Sequence, residues 1–312
     1  LFKLITDKDV IGYGEIYSVP FHPHVVTKMT EDVFERYVKN EDPFKIEKLW
    51  RAIYSSGYTQ RSDISLLGII SGIEMACWDI VGKELNKPIY ELLGGQIYNK
   101  LRTYTYLYPK KDDKFDVYKE ASLAAERAQE YIEKGFTAVK FDPVGPYTSL
   151  DPRHLPLEEM VKIEKFVKTV HDSVKNKCDL LIGTHGQMTT ASAVRLAKRL
   201  EKFDPMWFEE PIPPENFEEF GKLALSTTIP IATGERLATK YEFSKILQAQ
   251  GASILQMNLG RVGGLLEAKK IAGMAETHYA QIAPHLYCGP VVGAANIQIS
   301  TCSPKFFNFG RN

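Results

Sequence analysis

The chain has 312 residues, of which 44% are hydrophobic and 25% are charged, so it is long and apolar enough to bury a large core. Its 39 basic and 39 acidic residues cancel, which excludes a global field that would favour nucleic acid or an anionic membrane. Small solutes are therefore the expected partners.

The first hundred residues predict a small α+β domain. Residues 1–17 alternate apolar and polar side chains around turn-forming glycines, as in an antiparallel meander. From residue 30 to about residue 100 the pattern becomes helical, and residues 65–85 form the most apolar predicted helix. We assign this domain to residues 1–102.

A strict alternation of short apolar runs and helical patterns occupies residues 103–312. The eight runs that predict strands are LRTYTYLY, TAVKFD, LLIGTHG, MWFEEP, IPIATGE, SILQMN, AQIAPH and FFNF. Seven amphipathic helices lie between them, and neither a glycine-rich phosphate fingerprint nor a reversal of strand order is indicated. The pattern therefore favours an α/β fold with a parallel barrel over an open doubly wound sheet.

Two glutamates stand at matching places in this alternation. Glu209 lies in MWFEEP and Glu235 in IPIATGE, and the interval from 209 to 235 is close to one strand–helix repeat of roughly 25 residues. Side chains at the C-terminal strand ends of a barrel converge on one mouth. The sequence therefore predicts that both carboxylates face one hard cation, which prefers oxygen ligands.

The cysteines and the two ends of the chain complete this picture. Cys77, Cys178, Cys288 and Cys302 are far apart and show no CxxC spacing, which indicates reduced, buried thiols. No apolar run approaches the ~18 residues of a membrane span and no secretory leader is recognised, so we expect a cytoplasmic protein. The chain opens inside a strand-like segment and stops just after an apolar run, so we expect native terminal segments to be missing and the C-terminal end of the barrel to be incomplete.

With these residues placed, the chain resembles the enolase superfamily, and within it the mandelate racemase/muconate lactonizing enzyme family and its acid-sugar dehydratases. The markers run in order over nearly the whole chain: GYGE, IEMACWDIVGKELNKPIYELLGG, VKFDP, FEEP, TGER, GRVGG and APH. Each motif alone is weak, but their order and spacing together are specific. The resemblance implies a modified TIM barrel, (β/α)7β-like, with the N-terminal α+β domain capping it, and a homo-oligomer.

The resemblance also implies a chemistry. It implies Mg²⁺, or another divalent cation, held by three strand-end carboxylates, and removal of the proton next to a substrate carboxylate. Such a proton is very weakly acidic, and a divalent cation on the carboxylate oxygens stabilises the enediolate that forms. Glu209 and Glu235 match the second and third ligand positions.

The first ligand position departs from the family pattern. Counting back the same interval from Glu209 lands on Gly183, where relatives carry aspartate, and glycine has no ligand atom. His185, two residues further on the same strand face, can be a metal ligand, a substrate contact or acid/base group, or a core histidine without a role; water and Asp142 are rival ligands. Because Mg²⁺ prefers oxygen, a histidine ligand would favour a softer divalent ion.

Lys140 and Asp142 alternate along VKFDP, so both face the barrel mouth if this is the second strand. Many relatives place two lysines here, the second of which is a base, and Asp142 replaces it. We expect a Lys140–Asp142 pair in which either residue accepts the proton, or which serves only as a structural ion pair.

His285 in APH matches the histidine that acts on the other face of the substrate. In relatives an aspartate orients this ring, and the matching residue here is Asn258. An amide fixes the ring without adding charge. His285 is therefore better suited to act as a general acid on a leaving hydroxyl than as a strong base.

Further substrate contacts are predicted from position alone. His22 and His24 lie in a proline-bounded loop where the family has a mobile segment, and with Arg61 they are candidate contacts to distal hydroxyls or to a second carboxylate. Tyr147 and Tyr287 lie near strand ends and are candidate proton donors or contacts. Exposed histidines without function and tyrosines that only pack are the plainer alternatives.

The function predicted is metal-dependent dehydration of an acid sugar, an aldonate or aldarate, to a 2-keto-3-deoxy acid. The motif variants, the polar loop and the lack of a second lysine favour this over a racemase, epimerase or cycloisomerase of the same superfamily. Loss of the first carboxylate and of the histidine-orienting aspartate leaves a third interpretation, a barrel that binds a ligand without turning it over.

Overall fold

The computed structural model describes residues 1–17 and 20–307, which form two compact units. The first unit comprises Leu1–Leu101, Gly234–Ser244 and the residues from Leu255 on, and the second comprises Arg102–Thr233 and Lys245–Ile254. The domain boundary between residues 102 and 103 stays a prediction.

The first hundred residues form an antiparallel hairpin followed by helices, as the sequence predicts. Strands β1 (Phe2–Ile5) and β2 (Ile11–Gly14) pair from Phe2 opposite Gly14 to Ile5 opposite Ile11. The helices are α1 (Pro23–Val33), α2 (Ile46–Tyr54), α3 (Ile64–Leu85) and α4 (Ile89–Leu92), and a π-helical turn, Phe34–Val38, extends α1.

The rest of the chain alternates strands and helices. The strands of one seven-stranded sheet are β3 (Thr105–Tyr106), β4 (Ala138–Phe141), β5 (Asp179–Gly183), β6 (Trp207–Glu209), β7 (Ile231–Thr233), β8 (Ile254–Leu255) and β9 (Gln281–Ile282), and their order in the sheet is their order in the chain. The helices that follow them in turn are α5 (Ala121–Glu133), α6 (Leu157–Val174), α7 (Thr190–Leu200), α8 (Phe217–Leu225), α9 (Thr239–Gln248), α10 (Leu265–Thr277) and α11 (Pro290–Thr301). This order confirms the predicted fold class, a modified TIM barrel with an N-terminal α+β segment.

The predicted eighth strand, FFNF, lies only partly within the described residues, since Asn308 and Phe309 fall outside them. Its first part runs beside β9. Ile282 donates its N–H to the carbonyl of Lys305, and Phe307 donates its N–H to the carbonyl of Ile282, both at 2.9 Å. Phe306 forms a parallel bridge with Ile282. These contacts match the place of the last strand in the predicted alternation.

The central strands of the second unit are buried on both faces. Every residue of β4, β6 and β7 is buried, and Phe141, Trp207 and Phe208 are among the largest fully buried side chains. Parallel strands covered by helices have no solvent face, which is why these runs read as continuously apolar. Polar side chains at the ends of such strands are therefore exceptions that need an explanation.

Helix α3 is the most apolar helix and lies in the core of the first unit. Asp63 caps its N-terminus by accepting hydrogen bonds from the N–H groups of Ser65 and Leu66 at 2.8 and 3.1 Å, and Asn86 ends it with a φ of 50°. The expectation that no segment has the length and apolarity of a membrane span is wrong, since α3 has both. However, 72% of its apolar window is buried within the chain, as in core helices that are apolar all round.

The four cysteines are free thiols. Cys77, Cys178 and Cys302 are buried, and Cys288 is half-buried. Burial raises the pKa of Cys77 to about 12 and that of Cys178 to about 11, so both stay protonated and pack as small apolar side chains.

Glycines in the hairpin allow it to lie directly against α3. A Cβ on Gly12 would overlap the carbonyl of Ala76, and a Cβ on Gly14 would overlap the carbonyl of Gly72. On the helix side, a Cβ on Gly72 would collide with the side chain of Ile16. The GYGE motif is therefore a close-packing device, which only glycine permits.

We expect Gly14→Ala to destabilise the protein by about 1–3 kcal/mol, because the new methyl group must push the hairpin off α3. Urea unfolding followed by circular dichroism measures this change. Gly273→Ala on α10 is the matched control, since nothing lies within 4 Å of its Cβ position. It should be neutral or stabilise by up to about 1 kcal/mol, because alanine is the better helix former. Equal losses in the two variants would contradict the close-packing role.

Glu74 joins α3 to the start of α10. Its carboxylate accepts hydrogen bonds from the N–H groups of Leu265 and Leu266, both at 2.8 Å, and from Trp78 Nε1 at 2.7 Å. A Cβ on Gly264, which has a φ of 92°, would overlap this carboxylate. Burial raises the pKa of Glu74 to about 7, although the three hydrogen bonds oppose the shift.

Glu74 should make stability depend on pH. Because its pKa of about 7 in the folded chain exceeds the unfolded value of 4.5, its contribution is fully present below pH 4.5 and is lost as the pH rises through 7. A shift of this size predicts that, between pH 5 and pH 8, wild type loses about 2–3 kcal/mol more unfolding free energy than Glu74→Gln, which does not titrate. Urea unfolding at both pH values measures the difference. The exposed Glu84→Gln on the same helix should keep the wild-type profile, and a Glu74→Gln profile parallel to wild type would refute the shift.

Candidate active site

The carboxyl ends of β4, β5 and β6 bring five of the predicted residues together in the second unit. In the parallel register Lys140 lies opposite Leu181, and Gly183 lies opposite Glu209. Asp142 follows the end of β4, and His185 follows the end of β5. The structure therefore brings these five residues near one another, and the catalytic and metal-binding roles predicted for them stay predictions.

Lys140 and Glu209 form a buried ion pair. Lys140 Nζ donates a hydrogen bond to Glu209 Oε1, and Trp207 Nε1 donates to Oε2 at 3.1 Å. Both charged side chains are only 3% exposed. The ammonium also lies 5.0 Å from the ring centroid of Tyr106 and 5.9 Å from that of Tyr104. The Glu209 carboxylate and the faces of Tyr104 and Tyr106 thus lie against the ammonium and offset the cost of burying its charge.

Asp142 pairs with His185 from the neighbouring strand. Asp142 Oδ2 lies 3.1 Å from His185 Nδ1, and Tyr106 donates its hydroxyl to Oδ1 at 3.2 Å. Burial raises the pKa of Tyr106 far above its usual value, with Lys140 opposing and Asp142 adding to the shift, so this hydroxyl stays a donor. The predicted Lys140–Asp142 pair is replaced by two pairs with other strands, because β4 ends at Phe141 and Asp142 has already left it.

The turn that carries His185 is fastened to the end of β6. Thr184 Oγ1 and the N–H of Gly186 both donate to the carbonyl of Glu210, at 2.8 and 2.6 Å. Between them His185 has a φ of 52°, a left-handed conformation that is uncommon outside glycine. Its side chain is 42% exposed, so the interpretation as a core histidine is wrong. Glu210 is buried and accepts a hydrogen bond from Thr233 Oγ1 at 3.1 Å, in keeping with a structural role.

Gly183 leaves room for the carboxylate of Asp142. A Cβ on Gly183 would overlap Asp142 Oδ1 and would lie 3.1 Å from Lys140 Cε. Since Gly183 is paired in register with Glu209, the Asp142 carboxylate occupies the place of a side chain on β5, beside Glu209.

In the first unit, His285 lies between Asn258 and Glu235. Asn258 Nδ2 is 2.8 Å from His285 Nδ1, and Glu235 Oε2 is 3.2 Å from His285 Nε2. Gly260 donates its N–H to Asn258 Oδ1 at 2.9 Å, which turns the amide NH₂ towards the ring. Nδ1 is then an acceptor, so the proton of the neutral ring sits on Nε2 and faces Glu235. Asn258 therefore favours His285 as a proton donor.

Contacts that the sequence analysis missed hold the loop after His285. Glu15 of the GYGE motif accepts hydrogen bonds from the N–H of Gly289 and, at 3.1 Å, from the N–H of Val292 at the start of α11. Asn296 Nδ2 donates to the carbonyl of His285 at 3.1 Å. The motif gave a signal for Glu15, but the sequence could not show that its partner lies 274 residues away.

Tyr17 and Arg261 are two further residues near Glu235 that the sequence analysis did not select. Arg261 Nη1 donates to the carbonyl of Glu235 at 2.9 Å, and its guanidinium lies 4.9 Å from the ring centroid of Tyr17. Burial raises the pKa of Tyr17, with Arg261 opposing and Cys288 adding to the shift. Arg261 was visible only as the arginine of GRVGG.

The loop predicted around His22 and His24 is helical in part. His22 caps α1 and His24 lies in its first turn, with ring centroids 5.0 Å apart, because Pro23 at the first helical position has the φ that a helix needs. Both histidines are exposed. Ser18 and Val19 of the same segment lie outside the described residues.

The other predicted contacts lie on the surface. Arg61 is exposed just before α3, and Tyr147 and Tyr287 are 63% and 77% exposed. Exposure leaves these side chains accessible to a solute. Their roles as substrate contacts stay predictions.

The donor chemistry in the second unit fits a hard divalent cation. Asp142 and Glu209 present carboxylate oxygens around the position of Gly183, and such oxygens are the ligands that Mg²⁺ prefers. Within residues 1–17 and 20–307, no three His, Cys, Asp or Glu side chains form a ready cluster for a metal ion. A cation would therefore have to draw Glu209 away from Lys140.

Family comparisons agree with the motifs. Residues 1–94 match the N-terminal domain of mandelate racemase/muconate lactonizing enzyme, and residues 123–309 match the enolase C-terminal domain-like family. A D-galactonate dehydratase of Verminephrobacter eiseniae is 32% identical over 301 residues, which cover 96% of this chain and 75% of that protein.

Solved structures show the same relationship. A mandelate racemase/muconate lactonizing enzyme homologue of Labrenzia alexandrii is 60% identical, with a TM-score of 0.95, and the match covers 97% of this chain and 78% of that one. A similar protein of Roseovarius sp. TM1035 is 45% identical, also with a TM-score of 0.95, over 97% of this chain and 77% of that one.

We expect Asn258→Asp to place a proton on His285 Nδ1, because a carboxylate accepts from Nδ1–H, whereas the amide NH₂ of Asn258 donates to that nitrogen. ¹⁵N chemical shifts of histidine-labelled protein measure which ring nitrogen is protonated. Asn216→Asp is the matched control, since Asn216 caps α8 and either residue serves there. An unchanged His285 spectrum in Asn258→Asp would show that the amide does not set the tautomer.

Proposed function

We propose, from the premise that this chain belongs to the mandelate racemase/muconate lactonizing enzyme family and is a carbon–oxygen lyase, that it dehydrates an acid sugar to a 2-keto-3-deoxy acid. The similarity to D-galactonate dehydratases over 96% of the chain supports an aldonate as substrate, with an aldarate as the related alternative. The observation that carries the proposal is the hydrogen bonding of His285, which holds a proton on Nε2 for a leaving hydroxyl.

His185 is the proposed proton acceptor. Asp142 Oδ2, 3.1 Å from Nδ1, favours the tautomer in which Nδ1 carries the proton and Nε2 is free to accept one. The exposure of this ring leaves it accessible to substrate, whereas the alternative acceptor, Lys140, is buried and hydrogen-bonded to Glu209. Lys140 therefore suits the neutralisation of negative charge better than the acceptance of a proton.

The proposed reaction removes one proton from the substrate and returns one proton to the leaving hydroxyl. His185 Nε2 takes the proton from the carbon next to the carboxylate, and the electron pair of that C–H bond moves into the carboxylate group to give an enediolate. The enediolate then returns this electron pair as a double bond to the adjacent carbon, the one that carries the leaving hydroxyl. The hydroxyl on that adjacent carbon leaves with the proton from His285 Nε2 as water. The resulting enol then tautomerises to the 2-keto-3-deoxy acid.

A divalent cation, for which the family generally uses Mg²⁺, would be held in the second unit by Glu209 and a further oxygen donor, and would offset the negative charge that the substrate carboxylate gains when its neighbouring proton leaves. Glu235 as a ligand stays a prediction from the family resemblance. The cytoplasmic location and the homo-oligomer stay predictions.

A panel of aldonates and aldarates, including D-galactonate, tests the proposal with Mg²⁺ present. We expect a 2-keto-3-deoxy acid from at least one of them, measured as its semicarbazone. A product of unchanged composition with no keto acid would instead support a racemase, an epimerase or a cycloisomerase.

Histidine variants then separate the two steps. His285→Asn should lower dehydration by roughly 10²–10⁴-fold, the usual contribution of a general acid, yet still exchange the substrate proton for deuterium in D₂O. His185→Asn should lose both dehydration and exchange. His171→Asn on α6 is the control, since His171 is half-buried beside Asp172 in the last turn of that helix, and this variant should retain both. Exchange that survives in His185→Asn would rule out His185 as the acceptor.

A further inference from the structure

We infer that Asp142 supplies the carboxylate ligand that β5 lacks at Gly183, so that one ligand of the cation has moved to the neighbouring strand. The inference rests on the proposed metal-dependent dehydratase and goes beyond it, since it names a ligand outside the pattern implied by the family resemblance. It is argued from residues of the second unit alone.

The first argument is positional. The Cβ that Gly183 lacks would fall on Asp142 Oδ1, so this oxygen lies where a side chain projecting from β5 would begin. Gly183 is the register partner of Glu209. The Asp142 carboxylate and the Glu209 side chain therefore belong to the same level of the sheet, at neighbouring strand positions.

The second argument concerns the two oxygens of Asp142. Oδ2 faces His185 Nδ1, and Oδ1, which receives the hydroxyl of Tyr106, is the oxygen directed over Gly183. A carboxylate oxygen accepts more than one partner, so Oδ1 can keep Tyr106 and still bind a cation. His185 itself is a weaker candidate, because its Nδ1 is already used by Asp142 and Mg²⁺ prefers oxygen.

The third argument concerns the glycine. A side chain at position 183 would displace Asp142 Oδ1 from its place, so glycine at this position leaves the carboxylate where it lies. The carboxylate expected on β5 at position 183 is therefore supplied instead by Asp142 at the end of β4.

The test moves the carboxylate from position 142 to position 183 and measures how tightly each variant binds Mn²⁺. The protein is first treated with chelator, and electron paramagnetic resonance then measures the free Mn²⁺. Asp142→Asn keeps the shape but removes the charge, and we expect its Mn²⁺ affinity to fall at least about tenfold. Gly183→Ala retains Asp142 but pushes its carboxylate aside, so its affinity should also fall. The double variant Asp142→Ala/Gly183→Asp puts a carboxylate back on β5 and should recover most of the affinity.

Asp179→Asn is the matched control. It removes one carboxylate from the other end of β5, where Asp179 pairs with Arg102, and should bind Mn²⁺ as wild type does. Circular dichroism verifies that each variant is folded. If Asp142→Asn does not fold, the Mn²⁺ affinity of Gly183→Ala tests the inference in its place. Wild-type affinity in both Asp142→Asn and Gly183→Ala would overturn the inference and leave the proposed function standing. Absence of Mn²⁺ binding by wild type together with dehydration would overturn the inference and the metal part of the proposal alike.

Discussion

The buried ion pair between Lys140 and Glu209 is the constraint on which the arrangement of the second unit depends. Two charges that are each 3% exposed are tolerated because each compensates the other, and loss of either partner would leave a buried charge without its counter-ion. Since Lys140 is committed to Glu209 on β6, Asp142 must find other partners. It finds them in Tyr106 and His185, and this choice places its carboxylate over Gly183.

The two proposed acid/base histidines each lie beside one carboxylate, but the carboxylate faces a different ring nitrogen in each case, and this difference has a chemical meaning. His185 has a carboxylate at Nδ1, whereas His285 has an amide at Nδ1 and a carboxylate at Nε2. A carboxylate accepts a proton at Nδ1 and frees Nε2 for catalysis as a base, whereas an amide NH₂ donates to Nδ1 and keeps the proton on Nε2. In the proposed dehydration, the tautomer of His185 suits the acceptance of a proton and the tautomer of His285 suits the donation of one.

How far the sequence predicted this structure follows from the range of each interaction. The strand–helix order, the buried strands and the placement of Lys140, Glu209, Glu235 and His285 at or near strand ends follow from local periodicity, and the structure agrees with them. The contact partners of these side chains could not be predicted from periodicity, because they depend on the residue at which each strand ends. Asp142 lies one residue beyond β4 and His185 lies in a left-handed turn, so counting alternate residues along an extended strand gave the wrong pair. Glu15 and Glu74 were missed because their partners on α11 and α10 lie far along the chain.

Among the residues that the structure describes, three carboxylates occupy the space that a glycine leaves, and their partners distinguish a structural role from a functional one. Glu74 beside Gly264 and Glu15 beside Gly289 both accept backbone N–H groups from the start of a helix, so their charge is used to hold the fold. Asp142 beside Gly183 has only side-chain partners, a tyrosine hydroxyl and a half-exposed imidazole. A helix terminus gives the first two carboxylates a fixed structural task, whereas nothing in the backbone requires the third. A carboxylate packed against a glycine therefore caps a helix in two places and lies at a strand end in the third. At the strand end, the charge of Asp142 is available for a ligand.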